Sequence, residues 1–311
     1  MIPAQHDAPI SADETPQRSE LPSGAAAAAQ YRDGRGDLNV DVAHSARIYD
    51  YWLGGKDNFA ADRTVAEAIK AAVPEVPMMV RANRDWMLRV TRHLARDAGI
   101  RQFLDIGTGI PTTPNLHQAA QHIAPHFRVA YVDNDPLVLT HARALLTSDP
   151  RGLCEYLDAD LRDIDQILAS SALGGTLDLS QPVAVILASV LMLLSDADNP
   201  SAIVARLRDW APAGSYLAIS HPTADLDPEA MASVVDVTEA SGMTFVPRSR
   251  AQVTEMFGDW DLSEPGLVPV LAWRPDAQPD HPEAAYYWTG VARKPARPAA
   301  GRPCPPCTRF P

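Results

Sequence analysis

Three aspartates, Asp105, Asp133 and Asp160, follow or end short apolar runs in a pattern suited to holding one small polar ligand. Asp105 lies in Gln102-Phe103-Leu104-Asp105-Ile106, a strand-length run stopped by Gly107-Thr108-Gly109. Glycines there let the backbone turn tightly and approach a ligand, and a helix that follows offers free N–H groups. A carboxylate at that point suits a cationic partner such as an amino-acid ammonium. Asp133 ends the run Arg128 to Val132, the place where an acid accepts hydrogen bonds from the two vicinal hydroxyls of a ribose. Asp160, in Asp158-Ala159-Asp160-Leu161, suits the amino group of an adenine, with Leu161 against the ring. Plainer roles stand open beside these: a strand-to-helix turn for the glycines, a loop acid for Asp133 and a helix cap for Asp160. Asp135, beside Pro136, has the residue types of an N-cap followed by a first helical residue.

Several other side chains have the right types for chemistry. Tyr49 to Phe59 concentrates aromatics, Gly54-Gly55 and the polar trio Lys56, Asp57 and Asn58, a composition suited to a lid over a ligand or to a helix cap and turn packed on the core. Arg81 and Arg84, one helical turn apart, suit a ligand carboxylate or a solvated helix face. Cys304-Pro305-Pro306-Cys307 has the spacing of redox and zinc sites. It lies in a proline-rich stretch with no second ligand pair and no helix start to lower a thiol pKa, so neither function is expected and no metal site follows.

The elements that position these residues are legible from hydropathy. Apolar runs of strand length alternate with helical spacing, which predicts βα units around a mostly parallel sheet. The predicted strands are 102–106, 128–133, 152–157, 182–188 and 215–220, with late strands near 267–271 and 286–292. Helices are predicted over 113–122, from Pro136 to about 147, over 200–210 and 249–257, and as one long amphipathic helix over 77–97. On that helix Trp86, Leu88 and Val90 are expected in the core. Residues 1–42 and 294–311 are rich in proline, glycine and alanine without an apolar period, so both are expected to be disordered tails around one domain over 43–293.

Composition bounds the partners. The 311 residues carry 27 Lys+Arg against 39 Asp+Glu, a net charge of −12, which argues against nucleic acid and against an anionic membrane surface. Three cysteines are too few for a disulfide framework, and neither a signal peptide nor a membrane span is read, so a cytoplasmic location is expected.

Asp105, Asp133 and Asp160 occur in the order in which class I S-adenosylmethionine-dependent methyltransferases place their strand-end acids. The resemblance sharpens at Ala46-Arg47-Ile48-Tyr49-Asp50-Tyr51-Trp52-Leu53-Gly54-Gly55-Lys56-Asp57-Asn58-Phe59, at Arg81-Ala82-Asn83-Arg84, at Gln102 to Gly109, and at Tyr131-Val132-Asp133-Asn134-Asp135-Pro136. With these strings the chain resembles an actinobacterial family of S-adenosylmethionine-dependent methyltransferases, long catalogued as a domain of unknown function. The likeness covers about 42–293. It implies a Rossmann-like α/β fold, with a seven-stranded, mostly parallel sheet, helices on both faces and the last strand antiparallel. It also implies S-adenosylmethionine bound across the carboxyl ends of the first, second and fourth strands. By the same resemblance Asp105, Gly107 and Gly109 meet the methionine moiety, Asp133 the ribose, and Asp160 and Leu161 the adenine, with Thr108, Asn134, Ala188 and Ser189 also expected against the cofactor. The chain departs from the pattern in two places. Pro111 replaces the usual third glycine of the loop, and Val190-Leu191-Met192-Leu193 stands where relatives often carry a histidine.

The implied function is methyl transfer to a small-molecule acceptor. His221 and Asp57 are the candidate general bases for an acceptor that must lose a proton, with His44 behind them, and for His221 a satisfied structural histidine is the favoured reading. Two other functions fit the same residues: a module that binds the cofactor without turnover, and an NAD-type oxidoreductase. Pro111 and Thr112 stand against the second, since a dinucleotide loop wants a third glycine and a free N–H there. The acceptor and the oligomeric state are not legible.

Overall fold

The computed structural model describes residues 39–145 and 149–296. Of the two expected tails, residues 1–38 and 297–311, including Cys304 and Cys307, lie outside the described residues. Five runs rich in aliphatic and β-branched residues form parallel strands: β1 Gln102–Ile106, β2 Arg128–Asp133, β3 Leu153–Asp158, β4 Ala184–Ala188 and β5 Tyr216–Pro222. Two short strands follow, β6 Asp261–Leu262 and β7 Val268–Pro269, and then β8 Tyr287–Arg293. The order is β3-β2-β1-β4-β5-β8-β6, with β7 also on β8, which runs antiparallel to β5.

This is the mostly parallel arrangement, with an antiparallel last strand, that the resemblance implies, with eight strands among the described residues instead of the expected seven. The extra strand arises because the edge segment breaks at a turn where Gly266, at φ 86, donates its N–H to Ser263. The expected strand over 267–271 also stops early. Pro269 has no N–H for the ladder, and the chain turns into a 3-10 segment at Val270–Ala272.

Ten α-helices are described: α1 Ser45–Trp52, α2 Ala60–Ala72, α3 Val76–Arg96, α4 Leu116–Gln121, α5 Pro136–Leu145, α6 Ile164–Leu168, α7 Ser171–Thr176, α8 Pro200–Trp210, α9 Pro228–Ala240 and α10 Arg250–Phe257. Alternation along the strands sends side chains to opposite faces. Phe103, Tyr131 and Ile186 pack under α1 to α4 and α9, with Trp86 and Val90 of α3 buried and Leu88 partly so. Leu104, Val132 and Leu187 pack against α6, α7, α8 and α10. The helix expected from Thr113 begins only at Leu116, because Pro111 and Pro114 lack N–H groups and Asn115 supplies the cap, its own N–H held 2.7 Å from Gln118 Oε1. Lys294 still belongs to the fold: its N–H pairs with Ser215, and its Nζ donates to the carbonyls of Arg208 and Ala211 at the end of α8.

Chain order reverses between β1 and β4, so the loops leaving these strands splay apart and open a crevice at their carboxyl ends. No helix among the described residues is long and apolar enough to cross a membrane.

Candidate cofactor cleft

The crevice is a cleft of about 980 Å³, counting the space at its mouth. Its floor is the loop after β1. Gly107 (φ 74) and Gly109 (φ 67) both adopt the left-handed region, and a Cβ on Gly107 would stand 2.3 Å from Val190 Cγ2. Only glycine meets both demands at 107. The three strand-end acids converge here, joined by Asn134, Leu161, Ala188, Ser189, Thr108, Tyr49 and Arg84 from the sequence-based set.

Each acid is held differently. Asp133 is buried; its Oδ2 accepts the N–H of Gly109 at 2.7 Å and its Oδ1 that of Asp135 at 3.0 Å. Burial raises its pKa while these two N–H groups act in the opposite direction. Each carboxylate oxygen retains acceptor capacity, the requirement for gripping a vicinal diol. Asp160 caps the turn after it, accepting from Arg162 N at 2.8 Å and from Arg162 Nη1 and Asn134 Nδ2 at 2.9 and 3.0 Å. Capping and lining therefore coexist in this residue. Arg162 also reaches Asp198 and the carbonyl of Leu193, tying the rim after β3 to the loop after β4.

Asp105 lies deepest. Burial pushes its carboxyl up to about 7, opposed by the Arg84 charge and Thr108 and reinforced by Asp133. Arg84 itself donates to the carbonyls of Thr112 and Pro114, pinning the loop after β1 to α3.

The remaining sequence-based candidates lie elsewhere, which corrects their expected roles. Gly54, Gly55, Lys56, Asp57 and Asn58 do not line the cleft; they wrap the buried carboxylate of Asp50. Its Oδ2 accepts Asp57 N and Asn58 Nδ2, both at 2.9 Å, and a Cβ on Gly55 would fall 1.9 Å from its Oδ1. The segment is a turn folded on its own aspartate instead of a lid, and Asp57 is not positioned as a base. Arg81 is exposed on α3, away from the cleft. His221 is fully buried behind the loop after β4, its Nε2 3.2 Å from Arg248 Nη1 and its Nδ1 2.9 Å from the carbonyl of Pro222. Arg248 can only donate, so the proton sits on Nδ1. Burial pushes the ring down to about 3, helped by the Arg248 charge, so His221 stays neutral and structural.

Residues that the sequence reading missed come from α1 and α3. Ser45 and Ala46 line the cleft beside His44, the third of the sequence-based base candidates, whose ring caps α1 and lies 3.0 Å from Asp135 Oδ2. Asn83 Oδ1 is buried in the cleft wall with no hydrogen-bond partner among the described residues, leaving an acceptor for a ligand N–H. The signals were the strings Ala46 to Phe59, whose composition pointed to its glycines before its helix, and Arg81 to Arg84, whose arginines drew attention from Asn83.

This set fits S-adenosylmethionine and not a dinucleotide. Acids face a ligand carrying a sulfonium and an ammonium, and Asp133 occupies the Gly109 N–H that a phosphate would need. Asp133→Ala is expected to weaken binding of the demethylated cofactor by about 1–3 kcal/mol, since a diol would lose its acceptors and Gly109 its partner. Calorimetry with the variant checks this, and unchanged affinity in an intact fold would remove Asp133 from the site.

Comparison with known proteins agrees with the geometry. The profile of the S-adenosyl methyltransferase family matches residues 32–295. A DUF574 family protein from Streptomyces avermitilis is 46% identical with a TM-score of 0.81, over 83% of this chain and 100% of its own. A Thermobifida fusca protein, described as a candidate methyltransferase, is 37% identical with a TM-score of 0.78, over 83% of this chain and 97% of its own. No curated protein matches the sequence. With the family profile spanning nearly the whole described fold, the chain belongs to the S-adenosyl methyltransferase family, whose cofactor is S-adenosylmethionine.

Proposed function

We propose that the protein is an enzyme that transfers the methyl group of S-adenosylmethionine to a small-molecule acceptor. The observation that carries this reading is the convergence of Asp105, Asp133 and Asp160 with the Gly107–Gly109 loop in one cleft at the sheet's switch point. Bound there, S-adenosylmethionine supplies an electrophilic methyl group on a positively charged sulfur. The protein's own part is to position and enclose. Asp105 holds the ammonium, Asp133 the ribose diol, and Asp160 with Leu161 the adenine, while Ala188 and Ser189 form the wall at the end of β4. Ser189 is held by its N–H on the Ser220 carbonyl and its Oγ 3.1 Å from Tyr287 Oη. Tyr49 reaches down from α1, its hydroxyl donating to the carbonyl of Val80 and accepting from Asn83 Nδ2, both at 3.0 Å. An in-line displacement gains much of its rate from such fixed geometry and from exclusion of water. With His221 and Asp57 away from the cleft, no step in this account needs either as a base.

The test is incubation of the purified protein with methyl-labelled S-adenosylmethionine and fractionated cell extract. Label entering a small-molecule fraction is expected. Saturable cofactor binding with no transfer to any fraction would favour a cofactor-binding module without turnover.

A further inference from the structure

A second chamber opens beside the cofactor cleft, about 640 Å³ including its mouth, and it differs from the cleft in chemistry. It is enclosed by α1, α2, α3 and α9, by the loop 243–245 after α9, and by Met192 and Tyr287 from the sheet end. The two spaces share Ser45, Tyr49, Met192 and Leu193, so Tyr49 is part of the partition between them. The cleft is lined by Asp105, Asp133, Asp160, Arg84, Arg162 and His44, whereas among the described residues no Asp, Glu, Lys, Arg or His lines the chamber. Four methionines do: Met79, Met192, Met231 and Met243. Methionine walls adapt to irregular apolar shapes.

Of the six polar side chains that reach the chamber, the hydroxyls of Ser45 and Thr244 are small and the other four are engaged. Tyr49 is bonded as above, Trp52 Nε1 donates to Ala66 O at 3.2 Å, and Thr238 Oγ1 donates back to the carbonyls of its own helix. Tyr287 is tied to Ser189. A charged ligand would lose its hydration here and find no opposite charge, while an apolar one would displace water from mostly apolar walls. The outer wall is fixed to the cofactor side: Val246 N–H donates to Met192 O at 2.8 Å, and Arg248 holds the carbonyls of Leu191 and Leu194 at 2.9 Å.

We propose that this chamber is the acceptor pocket and that it takes an uncharged, predominantly apolar small molecule, a proposal that rests on the methyltransferase reading for its role but not for its binding chemistry. The test uses three matched probes on the full chain: 2-naphthalenemethanol, 2-naphthoate and 2-naphthylmethylammonium. Binding is read by calorimetry at neutral pH, with and without saturating S-adenosylhomocysteine. The neutral probe is expected to bind at least tenfold more tightly than either ion. Thr244→Trp, which fills the partly exposed loop wall, should weaken the neutral probe at least fivefold. Met243→Asp should shift preference toward the ammonium by fivefold or more, and both variants should bind S-adenosylhomocysteine within twofold of the parent. Absent binding of the neutral probe, equal binding of the ions, or indifference to both substitutions would overturn the proposal. Failure of S-adenosylhomocysteine to bind the parent would instead overturn the cofactor reading, leaving the probe results to judge the chamber separately.

Discussion

Replacing Arg47 by methionine is expected to cost about 3–5 kcal/mol of stability, the penalty for leaving buried charge uncompensated. Arg47 is 1% exposed; its Nε lies 3.2 Å from Asp135 Oδ2 and its Nη1 3.8 Å from Asp62 Oδ2, and both carboxylates are buried. The guanidinium also donates to Asn39 O and lies over the Phe59 ring. Methionine keeps much of the stem packing, so the effect isolates the charge. Asp62 would keep the N–H groups of His44 and Phe59, both at 2.8 Å, and Asp135 that of Leu137 at 2.9 Å and the His44 ring at 3.0 Å, but neither would keep a guanidinium. At about 2–4 °C per kcal/mol for a domain of this size, the melting temperature should fall by about 6–20 °C. Thermal denaturation checks it, and a fall under about 2 °C would show that the network is not stabilising. The consequence for function is positional: Arg47 fastens the start of α1 to the start of α5, which sets His44, Ser45 and Tyr49 over the cleft.

Cofactor affinity is expected to rise with pH up to about 7.5. The Asp105 carboxyl, pushed up to about 7, is mostly protonated in the empty fold at acid pH and then offers an ammonium no charge. The ligand's amino group stays cationic up to about 7.7–8.0. From pH 5 to 7.5 the ionised fraction of Asp105 rises enough to strengthen binding roughly 50–100-fold, to be read by calorimetric titration with S-adenosylhomocysteine. Asp105→Asn should bind weakly and flatten this rise; an equally steep rise in the variant would assign the effect to another group. Stability runs the other way. The folded pKa lies above the ordinary value of 3.8, so between about 4 and 7 the empty fold binds more protons than the unfolded chain and loses stability as pH rises. Bound cofactor should offset that loss.

Much of this was legible because strands buried on both faces write continuous apolar runs. β1 and β2 fall where Gln102–Ile106 and Arg128–Asp133 were expected, and α8 where Pro200–Trp210 was, each bounded by glycine, proline or aspartate. The family resemblance is upheld by the profile match and by the topology. The illegible parts depend on contacts that residue types do not announce. Gly54-Gly55-Lys56-Asp57-Asn58 has the composition of a mobile loop, yet the carboxylate of Asp50 organises it, and nothing in its types shows which acid it encloses. His221 looked available at a strand end until Arg248, 27 residues on, closed over it. The chamber walls come from four helices whose methionines and valines read singly as core.

The cleft at the strand ends is built for S-adenosylmethionine. The most direct test is calorimetric titration of the full chain at pH 7.5 with S-adenosylhomocysteine and, at equal concentrations, with NAD. The loop after β1 decides between them, because Gly109 N–H is spent on Asp133 and Pro111 has none to offer a phosphate. Saturable, one-to-one binding of S-adenosylhomocysteine and no heat from NAD are expected. Saturable binding of NAD, with none of S-adenosylhomocysteine, would contradict that assignment.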